Sequence, residues 1–256
     1  MSSKLCPPFV PMREIYHNLR RRTLGGAVIA GRVITPEQAQ RSRVIAEVTG
    51  QIGHHFIEAG KYVNLSVSAE LVMSDTLYER RTHSVFVRHA RGDVLIAGLG
   101  LGMCLVPVLL NPLVKRVIVV EKSRDVIDLV TPYLEDYFRG RQARAWRKIH
   151  IVEADIFEWQ PPWSFDAVWF DIWTNIATEN LPQMAKLHRR YGRWYLNPGG
   201  WMGSWAEAAC RRMARVDKVW QGETAIVNLF LGQDRPEVLR RLMRNADWLK
   251  QIALLL

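Results

Sequence analysis

Three glycines alternate at Gly98, Gly100 and Gly102, directly after the apolar run Val94–Ala97. A turn of this kind lets the backbone come close to a ligand, while the helix after it presents free N–H groups. Carboxylates then mark the ends of the next three apolar runs. Glu121 closes Arg116–Glu121, Asp155 stands just past Ile149–Glu153, and Asp171 closes Phe165–Asp171. Glu121 comes 23 residues after Gly98, where a strand-end acid can accept hydrogen bonds from ribose hydroxyls. Asp155 can accept from an adenine amino group, with Ile156 or Phe157 covering the ring. Asp171 can orient or deprotonate an amine or hydroxyl. Trp173, two residues on, can wall the same pocket and offer its ring to a cation. Singly, each has a plainer reading: a tight turn, a strand-end acid facing water, an indole packed beneath a loop. Together, in register with the glycines, they point to a nucleoside site.

The spacing narrows the ligand further. A dinucleotide fingerprint, G-x-G-x-x-G, needs glycine at the position held by Met103. The glycine falls at 102 instead, which favours a nucleoside without phosphates and speaks against a nicotinamide oxidoreductase. No metal is expected: Cys6, Cys104 and Cys210 lie far apart, without a C-x-x-C pair. Their odd number also argues against a disulfide framework and suits a reducing cytosol. Pro7, Pro8 and Pro11 stand where a secretory signal would be apolar, so a cytoplasmic protein is expected.

Strand–helix alternation supplies the elements that must hold these residues. From Asp93 onward short apolar runs alternate with helical patterns, the mark of a parallel α/β sheet. Asp93–Gly98 reads as the first strand and Leu101–Leu110 as its helix. Arg116–Glu121 follows as a strand, then a helix from Arg124 to Phe138 capped by Ser123. Strands are expected at Ile149–Glu153, Phe165–Asp171, Trp201–Trp205 and Ala225–Leu231. Helices are expected at Asn180–Leu196, stopped by Asn197-Pro198-Gly199-Gly200, at Ala206–Val216, and from Arg235 to the end. The uncharged run Val94–Leu110 approaches membrane-spanning length, but its glycines and Pro107 divide it, and no membrane span is expected. Residues 1–92 differ in texture. A helix starts at Thr35-Pro36-Glu37, a small hairpin is expected within Ile52–Ser74, and Thr76–His89 returns to helical spacing. The expected organisation is an N-terminal α+β appendage over 1–92 and a Rossmann-like, doubly wound, mostly parallel sheet over 93–256.

The segments VLIAGLGLG, VIVVEKS, VEADIF and FDAVWFD, followed by NPGGW, resemble the class I S-adenosylmethionine-dependent methyltransferases. Within them the likeness is to the spermidine-synthase-like branch, over about residues 70–205. The resemblance implies that Gly98, Gly100 and Gly102 line the methionine part of the cofactor. It also implies that Glu121 holds the ribose, Asp155 the adenine amine, and Asp171 the rim of the reaction site. Upstream, Glu79 and His83 have the spacing of that branch's E-x-L-x-H helix, with Arg81 replacing the leucine and Tyr78 standing where a histidine is usual. Tyr78, Glu79 and His83 would close the pocket from the N-terminal side.

Two departures bear on the reaction. Aminopropyltransferases carry an aspartate within the glycine loop, where this chain has Leu101. They carry a second acid after the fourth strand, where it has Thr174. Both acids serve cationic ligands, so their loss favours methyl transfer with S-adenosylmethionine over aminopropyl transfer with its decarboxylated form. A non-catalytic nucleotide- or nucleic-acid-binding module on the same fold is the third reading. A formal charge of +10 suits a polyanionic partner, but no nucleic-acid motif supports it, and solvated helix faces explain the arginines as well. The acceptor is left open, as is the oligomeric state, a homo-oligomer included.

Overall fold

A single turn, α1 (Met12–Ile15), precedes a strand hairpin, β1 (Arg21–Leu24) and β2 (Ala27–Ile34). The chain then forms helix α2 (Pro36–Val48), hairpin strands β3 (Gly60–Val67) and β4 (Glu70–Ser74), and helix α3 (Leu77–His89). The four strands make one antiparallel sheet in the order β1-β2-β3-β4. The structure is a computed structural model and describes residues 9–17, 21–48 and 57–215. The expected strand at Ala225–Leu231 and the helix from Arg235 lie outside the described residues.

The second part runs β5 (Gly92–Ala97), α4 (Leu105–Leu110), β6 (Val114–Glu121), α5 (Arg124–Arg139), α6 (Ala143–Trp146), β7 (Ile149–Glu153) and β8 (Phe165–Phe170). It continues with α7 (Leu181–Trp194), β9 (Leu196–Ser204) and helical turns over 207–215. Its five strands are all parallel, in the order β7-β6-β5-β8-β9. The α/β fold expected from the sequence is therefore present. Because β5 has β6 on one side and β8 on the other, the winding reverses there. The crevice of such a sheet opens at the carboxyl ends of the two strands that flank the reversal.

Alternation within these strands divides the core. Val94, Ile96, Val117, Val119, Ala167 and Trp169 face one cluster, which Met12, Ile29, Leu65 and Phe86 of the N-terminal elements complete. Leu95, Ala97, Ile118, Val120, Val168 and Phe170 face the other, closed by Leu187 and Tyr191 of α7. Burial on both faces is why the strands read as continuous apolar runs instead of alternating ones. Phe86 of α3 stacks on Trp169 at 5.4 Å and 3°, so α3 is fastened directly to the main sheet.

Three local expectations change. The helix expected from Leu101 starts at Leu105, because the positive φ of Gly98, Gly100 and Gly102 keeps the chain in a turn through 104. α7 ends at Trp194, before the expected stop at Asn197–Gly200, which lies inside β9; that strand begins at Leu196 rather than at Trp201. The pairing jumps from Phe165↔Leu196 to Ala167↔Trp201, so those residues bulge out, and Asn197 Nδ2 donates to Asp166 Oδ1 at 2.9 Å. Strands β1 and β2 had no counterpart in the sequence reading. Val94–Leu110 is split between β5, the turn and α4, and no helix among the described residues is long and apolar enough to cross a membrane.

Candidate active site

The sheet register brings the glycine turn and two of the carboxylates to one level. Ala97 pairs with Val120 on one side and Phe170 on the other, so the next residues, Gly98, Glu121 and Asp171, follow together at the sheet's carboxyl edge. Asp171 N donates to the Ala97 carbonyl at 2.8 Å. Gly98 has φ 98°, and a Cβ there would lie 2.0 Å from the Asp171 carbonyl oxygen. No side chain fits between the first turn of the loop and the end of β8.

The N-terminal elements grip the rest of the loop. Leu101 N donates to Met73 Sδ at 3.4 Å, and the Tyr16 hydroxyl donates to the Leu101 carbonyl at 2.8 Å. A Cβ on Gly100 would meet Met73 at 2.8 Å, and one on Gly102 would meet Leu134 of α5 at 2.7 Å. Leu101, where an acid would mark aminopropyl transfer, is wholly buried.

Glu121 is joined to the same loop. Leu99 N donates to its Oε2 and Ser123 N to its Oε1, both at 2.8 Å. Each carboxylate oxygen has two lone pairs, so one remains on each for a ribose hydroxyl. Asp155 accepts from Lys122 Nζ at 2.8 Å and from Phe157 N at 2.9 Å. The Lys122 ammonium, with the Phe157 amide, holds its carboxyl below the usual carboxylate range. Lys122 is 78% exposed, and an exposed pair of this kind is weak, so a ligand amine can take its place at little cost. Ile156 is buried among the residues of the second core cluster.

The structure draws Glu79 and His83 of α3 to Asp171. His83 Nε2 lies 3.6 Å from Asp171 Oδ2 and 3.9 Å from Glu79 Oε2. Burial pushes the Asp171 carboxyl up to about 8, with the Glu121 charge adding to it. Glu79 is pushed up to about 8 by burial and then by Asp171. Burial pushes His83 down to about 3. Three titratable groups thus share a desolvated pocket, the setting in which proton-transfer groups acquire altered acidity. His83 lies inside the fold instead of on the outer rim. Tyr78 is half-buried, its hydroxyl pushed up to about 12 by burial and by the Glu79 charge. Trp173 Nε1 donates to Gln183 Oε1 of α7 at 2.9 Å, which ties the indole to the side of the second core cluster.

Two residues join the site that the sequence reading did not choose. Cys104, just before α4, puts its sulfur within 4.8 Å of donor atoms on both His83 and Asp171. Glu70 of β4 accepts from Thr174 Oγ1 at 2.9 Å. Neither lies near its partners in sequence; the acidic spacing that exposed Glu121 and Asp155 has no equivalent for them.

No family model matches the chain, and no curated protein matches it. Solved structures do. Spermidine synthase from Thermotoga maritima is 20% identical over 54% of this chain and 47% of its own, with a TM-score of 0.40. The N-methyltransferase NodS from Bradyrhizobium japonicum WM9, in complex with S-adenosyl-L-homocysteine, is 21% identical over 54% of this chain and 67% of its own, at 0.38. A glycopeptide N-methyltransferase, MtfA, complexed with S-adenosyl-L-methionine is 18% identical over 48% and 52%, at 0.34. The chain spans about half the length of the spermidine synthase it matches.

Proposed function

We propose that the chain binds S-adenosylmethionine in the crevice between β5 and β8 and transfers its methyl group to a nucleophile held beside Asp171. The observation that carries this reading is the register that sets Gly98, Glu121 and Asp171 at one level of the sheet edge, with Glu121 hydrogen-bonded to the loop. The residues fit such a nucleoside: spare lone pairs on Glu121, Asp155 two residues past β7, and a backbone turn free of side chains at Gly98. The family resemblance of the sequence supports the same choice.

When bound, the sulfonium group supplies an activated methyl and a neutral leaving group. The protein's part is alignment and exclusion of water, and alignment can account for a large share of the acceleration. Asp171 and Glu79 meet the acceptor with carboxyls whose proton affinity lies near neutral pH, suited to taking a proton from an amine or hydroxyl. Tyr78 and Trp173 bound the acceptor's side of the crevice.

One observation favours a second reading. Thr174 replaces the second acid of an aminopropyltransferase, yet its hydroxyl bonds to Glu70, which returns a carboxylate to that place. Aminopropyl transfer from the decarboxylated cofactor is therefore the alternative. A thermal-shift panel separates the two. S-adenosylmethionine at a hundred times its dissociation constant should stabilise the fold by about 2.7 kcal/mol, and its decarboxylated form should do less. The reverse order would establish the alternative, and stabilisation by NAD alone would overturn both.

A further inference from the structure

We propose that His83, Cys104 and Asp171 form a site for one divalent transition-metal ion of the zinc and cobalt class. The three come from α3, the turn before α4 and the end of β8. One nitrogen, one sulfur and one oxygen donor all lie within 4.8 Å of one another. His83 Nε2 and Asp171 Oδ2 are 3.6 Å apart, too far for a hydrogen bond. The edge of a tetrahedral site with metal–ligand bonds of about 2.0–2.3 Å is about 3.3–3.8 Å. The separation suits two ligands of one ion better than a donor and its acceptor.

The imidazole supplies the independent observation. His83 is fully buried, and neither Nδ1 nor Nε2 has a hydrogen-bond partner. A buried polar atom left unpaired is costly, and such atoms are rare in folded proteins. An edge contact with Trp169 at 5.9 Å packs the ring without offering it an acceptor. A coordinate bond from Nε2 would satisfy that atom. A cation there would also lie beside two carboxyls, Asp171 and Glu79, gathered around the same ring. The donor set is mixed in softness, which suits zinc or cobalt(II) better than magnesium or calcium. Three protein ligands leave a fourth tetrahedral position for an exchangeable one. Cys104 would lose its proton on binding, as metal-bound thiols do.

The site shares Asp171 with the proposed reaction but none of the cofactor contacts, Glu121, Asp155 and the loop glycines, so metal binding and cofactor binding can be read separately. The test is an anaerobic titration of the reduced full-length chain with cobalt(II), followed by zinc(II) competition. A Cys6→Ser, Cys210→Ser background leaves Cys104 as the one thiol. One equivalent of cobalt should give the visible bands of a tetrahedral centre and a thiolate-to-metal charge-transfer band, both erased by zinc. Cys104→Ser, nearly isosteric, should lose the charge-transfer band and weaken binding at least tenfold. His83→Gln should weaken it as much, and if that variant does not fold, Cys104→Ser decides. Absence of a one-equivalent cobalt complex would overturn the site, as would a spectrum unchanged by Cys104→Ser.

Discussion

Gly98 and Gly199 both have positive φ, 98° and 74°, but only one of them faces an obstacle. At Gly199 an added Cβ meets nothing within 4 Å, so alanine there pays for backbone conformation alone, about 1–2 kcal/mol. At Gly98 the Cβ would strike the Asp171 carbonyl, which the sheet holds in place. Gly98→Ala should therefore lose more than about 3 kcal/mol, read from urea denaturation of both variants. Equal losses would mean that the loop is not locked against β8. This pair also shows what a sequence can convey. Gly98, Glu121 and Asp171 were legible because each follows directly on an apolar run, where the end of a parallel strand must be. Met73, Tyr16 and Cys104 were not, since their roles arise from contacts between segments 28 to 85 residues apart or from a shared pocket. No periodicity encodes such contacts.

Among the elements, the parallel strands were the legible part, and the N-terminal sheet was the obscure one. β5, β6 and β8 are buried on both faces and advertise themselves as apolar runs, and the edge strand β7 is half-buried. β1 is exposed throughout and begins with Arg21-Arg22, so nothing in its composition marks a strand. Its partner β2 mixes buried and exposed positions around Gly31. The start of α4 was misplaced for a related reason: Leu101–Leu110 is uniformly apolar and carries no mark of where the turn ends, which the positive φ of the glycines sets. Asp75, at the junction of these elements, is wholly buried. It accepts from Met12 N at 3.0 Å, Val63 N at 2.7 Å and Arg80 at 3.3 Å. Asp75→Ala would strand three donors from α1, β3 and α3. The expected loss is at least about 3 kcal/mol, measured by chemical denaturation. A loss below about 1 kcal/mol would show that these ties are dispensable.

For the molecule as a whole, the formal charge of +10 is a cationic excess, although several of the cations behind it have partners within the chain. Arg139 pairs with Glu135 at 2.9 Å, Arg141 lies over the Tyr137 ring at 4.6 Å, and Arg211 pairs with Glu207 at 2.6 Å. Lys148 donates to the Leu109 and Asn111 carbonyls at 3.1 Å, and Arg190 donates to the carbonyls of Phe157 and Trp159. These five cations are held by partners within the chain, and no nucleic-acid motif accompanies the excess that remains. A mixed-sequence DNA duplex at physiological salt should bind no more tightly than about 10⁻⁶ M, the non-specific range, in a fluorescence anisotropy titration. Nanomolar binding would restore a nucleic-acid role.

The crevice remains the centre of the account, and calorimetric titration with S-adenosylhomocysteine tests it most directly. Wild-type protein should bind one equivalent. Asp155→Ala, which frees an exposed lysine and leaves the loop's own bonds intact, should weaken binding about tenfold. Glu121→Ala, which removes the ribose acceptor, should weaken it about 30-fold or more, a change of about 2 kcal/mol. No saturable binding by the wild-type chain, or equal binding by all three proteins, would contradict the assignment of the Gly98 turn and its two carboxylates as a cofactor site.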